Sequence, residues 1–285
     1  MRQVAYVNGV YAPLNAPRLS VLDRGFQFAD SIYEVWAVRG GKLYDRAGHM
    51  ARLKRSLAEL RIDLPLSEVS LMAVMRETLR RNRVTDGIVY VQVSRGAAPR
   101  DHVFPAKPVR PTLVVTAKTL DRAAIEKRAA TGVKVISTAE TRWARRDIKS
   151  VNLLPNVLAR QAAKEAGAFE AWFVDDDGFV TEGTSSNAWI VDADGALRTR
   201  ELSNDLLHGV TRAALLKIAR ERQMIVRETP FTIAEAKAAR EAFVSAASNP
   251  ATPVVEIDGV RIGDGKPGPI ALALRDFYLS EASAD

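Results

Sequence analysis

Asp147-Ile148-Lys149-Ser150-Val151-Asn152-Leu153-Leu154-Pro155-Asn156 sets one lysine between a carboxylate and a small polar run. Most lysines are solvated surface cations, and Lys149 alone would pass for the partner of Asp147 in a surface ion pair. A lysine amine that sheds its proton is also a nucleophile toward carbonyl carbon. Thr181-Glu182-Gly183-Thr184-Ser185-Ser186-Asn187 follows, with Glu182 lying 33 residues after Lys149. Its small hydroxyl side chains, Thr184, Ser185 and Ser186, suit a loop that a ligand approaches closely. Alone, Glu182 would read as a surface residue at a hairpin end.

Composition bounds what these segments belong to. A chain of 285 residues accommodates one large or two smaller domains with a sizeable core. It has no cysteine, hence no disulfide framework and no thiolate nucleophile or metal ligand. Its three histidines, His49, His102 and His208, argue against a His-rich metal site, so no metal is expected. The formal charge of +7, from 41 basic and 34 acidic residues, raises nucleic-acid binding. Yet the charges are interspersed, and the densest clusters, Arg80-Arg81-Asn82-Arg83 and Arg142-Trp143-Ala144-Arg145-Arg146, are short. Neither nucleic acid nor membrane is therefore expected as a partner, and the basic surface suits anionic substrates and phosphates. No apolar run approaches the roughly 18 residues of a membrane span. Met1-Arg2-Gln3-Val4-Ala5-Tyr6-Val7-Asn8-Gly9 lacks the apolar stretch of a signal peptide. A cytoplasmic enzyme is the expectation, with a frayed tail over 280–285.

Outward from the two segments, strands and helices alternate without regular βαβ repetition, which argues α+β. Val4–Val7, Asn8-Gly9 and Val10-Tyr11 read as a hairpin. Ser31–Arg39 reads as a strand that turns at Gly40-Gly41. Residues 48–60 form a helix with Met50, Leu53, Leu57 and Leu60 on one face, and 67–82 form another capped by Ser67. Strands 88–94 and 112–117 flank a loop, Arg95-Gly96-Ala97-Ala98-Pro99-Arg100-Asp101-His102-Val103-Phe104-Pro105, too long for a plain turn. A boundary falls at 120–124. Strand 133–137 precedes a helix over 155–166 closed by Gly167. Hairpins turn at 175–178 and 192–195. Helix 211–222 follows Gly209, which permits close approach to a ligand. A short helix over 233–239, strands 242–246 and 254–257, and a turn at Asp258-Gly259 complete the reading.

The Lys149 and Glu182 segments, in this order and at this spacing, resemble class IV (fold-type IV) PLP-dependent aminotransferases. Nearly the whole chain resembles the D-amino-acid aminotransferases among them. The resemblance implies an α+β, two-domain architecture: a small α/β sandwich-like domain and a larger β-barrel-like domain, with pyridoxal 5′-phosphate between them. It also implies a homodimer whose subunits share each active site. The expected division is a small domain over 1–120, a linker over 121–125, and a larger domain over 126–285 that carries the cofactor lysine. By this resemblance Lys149 bonds the cofactor aldehyde and shuttles a proton. Glu182 faces the ring nitrogen, making the ring an electron sink.

The resemblance assigns Arg52, in His49-Met50-Ala51-Arg52-Leu53, to the cofactor phosphate, although Arg52 would otherwise pass for an exposed helical arginine. Gly209-Val210-Thr211 opens a helix, whose N-terminus is an anion site; Thr211 could equally cap that helix. Leu207 matches a residue packed on the ring, or ordinary core. Phe243-Val244-Ser245-Ala246-Ala247-Ser248-Asn249 resembles the loop that completes the phosphate cup. Relatives often place threonine at Ala247, so Ser248 is the candidate hydroxyl. Around Phe28-Ala29-Asp30-Ser31 relatives tend to have glycines where this chain has Ala29 and Ser31, which leaves the loop shape open.

For substrate, the resemblance assigns Arg100, His102 and Tyr33 to an α-carboxylate, which a guanidinium with a second donor suits. A solvated loop is the alternative for Arg100 and His102. Val35 would line the side-chain pocket, and Trp143 would pack across the dimer or in the core. The implied reaction moves an amino group between a D-amino acid, such as D-alanine, and a 2-oxo acid, such as 2-oxoglutarate. Alternatives are a branched-chain L-amino-acid aminotransferase, an (R)-selective amine transaminase, and a non-catalytic basic binding protein. Branched-chain enzymes and aminodeoxychorismate lyases lack the Pro-Arg-x-His pattern.

Overall fold

The computed structural model describes residues 3–281; the tail residues 282–285, expected to fray, lie outside them. The chain divides into two compact units, residues 3–120 with Ile148–Asn152, and Asp121–Asp147 with residues 153–281.

The first unit holds β1 (Val4–Val7), β2 (Val10–Pro13), α1 (Arg24–Phe28), β3 (Ser31–Arg39), β4 (Lys42–Leu43), α2 (Arg46–Glu59), α3 (Glu68–Asn82), β5 (Gly87–Ser94) and β6 (Thr112–Thr119). Its six-stranded antiparallel sheet runs β2-β1-β6-β5-β3-β4. Period-two alternation gives β3 two faces. Ile32, Trp36 and Val38 enter a core with Leu53 and Leu57 of α2 and Leu71, Met75 and Leu79 of α3. Each fully buried apolar side chain contributes roughly 1.5–3 kcal/mol. Ser67 caps α3 as expected, its side chain accepting from Ser70 N. Tyr33 and Val35 lie on the opposite face, with Tyr90 directly across from Val35.

The first unit also contains Lys149. Tyr33 N donates to Lys149 O at 2.9 Å, Val151 N donates to Ser31 O at 3.1 Å, and Ile32 bridges Ser150. The segment thus adds a short strand beside the start of β3. This corrects the expected division, which grouped the lysine with the second unit: the pairing is long-range and has no local sequence signature.

The second unit holds α4 (Arg122–Thr131), β7 (Val133–Ala139), α5 (Leu154–Glu165), β8 (Glu170–Val174), β9 (Val180–Gly183), β10 (Asn187–Val191), β11 (Leu197–Thr199), α6 (Val210–Glu221), β12 (Val226–Glu228), α7 (Ile233–Lys237), β13 (Glu241–Ala246), β14 (Asn249–Ile257), β15 (Val260–Arg261) and α8 (Pro269–Glu281). Residues 121–125 are not a linker: Asp121 accepts from Ala124 N and caps α4. Only Ala129 of that helix is buried, so its sequence carries no apolar stripe. Ser280 and Glu281, expected to fray, complete α8, which buries Ala271, Leu274 and Tyr278 at helical spacing.

The nine-stranded mixed sheet runs β12-β11-β10-β13-β14-β7-β8-β9, with β15 on β14. β9 ends this path at Gly183, yet only residues 184–186 separate it from Asn187 of β10, several strands away in the order. So short a link requires the sheet to curl back on itself, giving the expected barrel-like form. Ala188 and Ile190 face one core with Trp172 and Phe231. Trp189 and Val191 face another, where α6 and α8 supply Leu215 and Leu274. Trp189 stacks on Phe243, its cross-strand partner, at 5.3 Å and 9°. Among the described residues no helix is long and apolar enough to cross a membrane.

Candidate active site

In the first unit, the Lys149 ammonium lies 4.2 Å from the centre of the Tyr33 ring. Its backbone N donates to Ser56 Oγ at 3.2 Å. The ion pair with Asp147 does not form; Asp147 is buried and pairs with Arg145 at 3.0 Å. Tyr33 also stacks on Tyr90 at 5.5 Å. Burial, then the neighbouring Tyr33, pushes the Tyr90 hydroxyl pKa above its ordinary range, and that hydroxyl donates to Gln92 Oε1 at 2.7 Å. The amine therefore faces aromatic rings rather than a carboxylate, on the sheet face that also presents Val35.

The other face of β3 holds a residue that sequence reading passed over. Glu34 is fully buried where the alternation calls for an apolar side chain. Arg52 Nε donates to its Oε2 at 2.9 Å and Arg52 Nη2 to its Oε1 at 2.7 Å. His49 Nδ1 lies 3.0 Å from Oε1. Burial opposes the charge on Glu34, but the charge and hydrogen bonds of Arg52, then those of His49, outweigh it and hold the carboxyl well below its usual range. Arg52 is thus not an exposed helical arginine: its guanidinium is aimed by a bidentate fork.

Arg100 and His102 are exposed. The Arg100 guanidinium lies 5.1 Å from the Phe28 ring centre, and the His102 ring lies 5.4 Å from it on a tilted contact. The loop is therefore not merely solvated: both side chains gather on one aromatic ring. The turn whose shape was left open places Ala29 at φ 55° and ψ 23°, the left-handed region that favours glycine.

In the second unit, Glu182 is buried rather than exposed at a hairpin end. Its Oε1 accepts from Arg142 Nη1 at 2.5 Å, and its Oε2 accepts from Leu207 N at 3.1 Å and Asn187 Nδ2 at 3.2 Å. Arg142 also donates to Glu140 Oε2 at 2.6 Å. Burial opposes the Arg142 charge, but Glu182 and Glu140 outweigh it and raise its pKa. Arg142, Glu140 and Asn187 had no assigned role in the sequence; the alternation of acid and base over 140–146 was the available signal. Arg145 and Arg146 of the same basic cluster are paired with Asp147 and Asp205, and Arg80 and Arg81 with Glu77. Trp143 is 37% exposed, which removes the core-packing alternative.

The hydroxyls beside Glu182 turn toward Glu170, not outward to a ligand as expected. Glu170 Oε1 accepts from Thr184 Oγ1 at 2.8 Å, Ser185 N at 2.7 Å and Ser185 Oγ at 2.9 Å, while Oε2 accepts from Ser186 Oγ at 2.5 Å. A buried carboxylate on β8 takes these donors because its desolvation must be offset; nothing in the sequence marked Glu170.

Gly209 is the N-cap of α6, and no side chain caps it. A Cβ on Gly209 would lie 1.9 Å from Asn187 Oδ1, so the close approach that requires glycine is to Asn187. Thr211 does not cap: its buried Oγ1 has no hydrogen-bond partner in the structure. The first N–H groups of Val210 and Thr211 stand beside this orphaned hydroxyl, an arrangement suited to an anion. Ala247 and Ser248 form the turn between β13 and β14, and Ser248 Oγ accepts from Asn249 Nδ2 at 3.0 Å.

Residues 31–257 match the family described as amino-transferase class IV. A D-alanine aminotransferase of Staphylococcus haemolyticus is 39% identical over 274 residues, covering 96% of this chain and 95% of that protein. A D-alanine aminotransferase of Bacillus licheniformis is 40% identical over 269 residues, 93% of each chain. Among solved structures, a branched-chain amino acid aminotransferase with pyridoxamine 5′-phosphate, its source abbreviated T.th., gives a TM-score of 0.89. It is 27% identical, covering 98% of this chain and 94% of that one.

Proposed function

Because the chain belongs to the class IV aminotransferases, we propose that it is a pyridoxal 5′-phosphate-dependent transaminase. It moves the amino group of a D-amino acid, D-alanine foremost, to a 2-oxo acid such as 2-oxoglutarate. The observation that carries this reading is the Lys149 amine facing Tyr33 without a carboxylate partner among the described residues.

The orphaned Thr211 hydroxyl, the uncapped start of α6 and the carboxylate acceptor at Glu182 fit such a cofactor. Arg52, the N–H groups of Val210 and Thr211, and the Ala247-Ser248 turn would hold its phosphate. Glu182, kept charged by Arg142, would meet its ring nitrogen, and Leu207 would pack on its ring. When bound, the cofactor withdraws electrons from the substrate Cα. Lys149 Nζ takes the proton from that carbon and returns it at the cofactor's side, acting as base and then acid. Arg100, His102 and the Tyr33 hydroxyl receive the α-carboxylate, and Val35 borders the side chain. Thr184 and Ser185 act indirectly, through the Glu170 hydrogen bonds that fix the turn after Glu182.

The 39% and 40% identities to D-alanine aminotransferases, with Arg100 and His102 presented on Phe28, favour D-amino acids. The 27% likeness to a branched-chain enzyme supports the runner-up, an L-selective reaction on the same fold. A bare amine offers Arg100 nothing to bind. We further read the protein as a cytoplasmic homodimer. Supporting the dimer, α5 exposes Leu154, Val157 and Leu158 on one face, and large apolar patches mark interaction surfaces.

The test adds D-alanine or L-leucine to the purified, cofactor-loaded protein and follows the cofactor's visible absorbance. Bleaching by D-alanine alone is expected. Bleaching by L-leucine alone would replace this reading with the branched-chain one.

A further inference from the structure

One buried guanidinium organises the loop that carries Arg100 and His102. Arg24 opens α1, and its side chain is 4% exposed. Its Nη1 donates to Asp101 O at 2.5 Å and Val103 O at 3.3 Å, and its Nη2 to His102 O at 3.4 Å. Its Nε donates to Asp30 Oδ2 at 2.8 Å. It lies 4.9 Å from the Phe28 ring centre, the ring that Arg100 and His102 also meet.

Charge explains why the loop is engaged. Asp30 also receives Arg95, through Nε at 2.7 Å and Nη2 at 2.9 Å. Two buried guanidinium groups thus share one carboxylate, leaving a desolvated positive charge to be met by neutral acceptors. For Arg95 these are Leu60 O and Arg61 O, at 2.7 Å and 2.9 Å. For Arg24 they are the successive carbonyls of 101–103. The base of Arg24 is fixed in turn. Asp23 caps α1 through Gly25 N at 2.9 Å while accepting from Ser94 Oγ at 2.9 Å and Thr112 Oγ1 at 2.7 Å. A Cβ on Gly25 would lie 2.7 Å from Ser94 Cβ, so α1 sits on β5 more closely than any other residue at position 25 allows.

We propose that Arg24 is a positioning residue for substrate-carboxylate recognition, holding the 101–103 backbone so that Arg100 and His102 flank Phe28. This rests on the reading of Arg100 given above. A lysine at position 24 keeps the charge but has one nitrogen, which cannot serve Asp30 and the loop carbonyls together.

The test is steady-state kinetics of the cofactor-loaded Arg24→Lys enzyme with D-alanine and 2-oxoglutarate, beside Arg100→Ala and the double variant. Arg24→Lys should raise the KM for D-alanine roughly tenfold with kcat within about twofold, the pattern of lost binding common to ground and transition states. Added to Arg100→Ala, it should raise KM no further, because both act through one guanidinium. Asp30→Asn, which removes the carboxylate that aims the Arg24 fork, should give the same KM-selective shift should Arg24→Lys fail to fold. If Arg100→Ala raises KM while Arg24→Lys and Asp30→Asn leave it within twofold, the proposal fails and the reading of Arg100 stands. An equal Arg24→Lys effect with and without Arg100 overturns it too, as a merely structural role. If Arg100→Ala itself leaves KM unchanged, the carboxylate reading falls and takes the proposal with it.

Discussion

Tyr33 meets Lys149 at both ends of that residue: its N–H donates to the Lys149 carbonyl at 2.9 Å, and its ring centre lies 4.2 Å from the lysine Nζ. The backbone bond survives any side-chain change, so substitutions at Tyr33 separate the ring from its hydroxyl. A cation–ring contact is worth about 0.5–2 kcal/mol. Tyr33→Leu is expected to lower kcat roughly threefold to thirtyfold. Tyr33→Phe should keep kcat within a few-fold and raise the KM for D-alanine. Indistinguishable kinetics of the two variants would show that the ring does not orient the amine.

The buried Glu34 makes acid stability a test of the Arg52 fork. Its folded pKa is depressed, so its contribution to stability is complete above roughly pH 4.3, the ordinary glutamate value. It is lost as pH falls below that toward the folded value. Glu34→Gln should cost roughly 1.5–3 kcal/mol at neutral pH, yet lose less further stability than the wild type on going from pH 5 to pH 3. Urea titrations at both pH values measure this, and parallel acid limbs in the two proteins would refute it.

Gly209 is predicted to tolerate no side chain. A Cβ there would overlap Asn187 Oδ1, and the same amide donates to Glu182 and to Leu207 O. Gly209→Ala should destabilise by about 1–3 kcal/mol and weaken cofactor affinity, measured by titrating the apoprotein with pyridoxal 5′-phosphate. Wild-type affinity in the variant would mean that Asn187 is not needed to hold Glu182.

Ala29 carries the opposite expectation. A left-handed conformation costs an L-residue about 1–2 kcal/mol, and glycine returns part of that gain as unfolded-state freedom, roughly 0.5–1 kcal/mol. Ala29→Gly should therefore raise stability by roughly 0.5–1 kcal/mol, read as a higher urea midpoint. A lower midpoint would contradict it.

The chemistry was more legible in the sequence than its supports. Ser31–Arg39 is a strand by its alternation, and Lys149 and Glu182 are visible by type, order and spacing. Glu34 appeared only as a polar residue within that alternation, because its meaning depends on Arg52 and His49 folding onto it. The five residues of α1 are too few to show a helical period, and α4 presents no apolar stripe to find. The addition of the Lys149 segment to β3, and the turning of Thr184 and Ser185 toward Glu170, are long-range outcomes that local pattern does not encode.

The hydrogen bonds that Glu170 gathers over residues 184–186 have a thermodynamic consequence for recognition at Glu182. That turn loses its backbone freedom when the chain folds, roughly 1–2 kcal/mol per residue, and no such ordering is left for the moment of association. Glu182 therefore behaves as part of a rigid receptor. The enthalpy and heat capacity of binding there are those of the contacts formed, without the added signature of a loop folding onto its ligand.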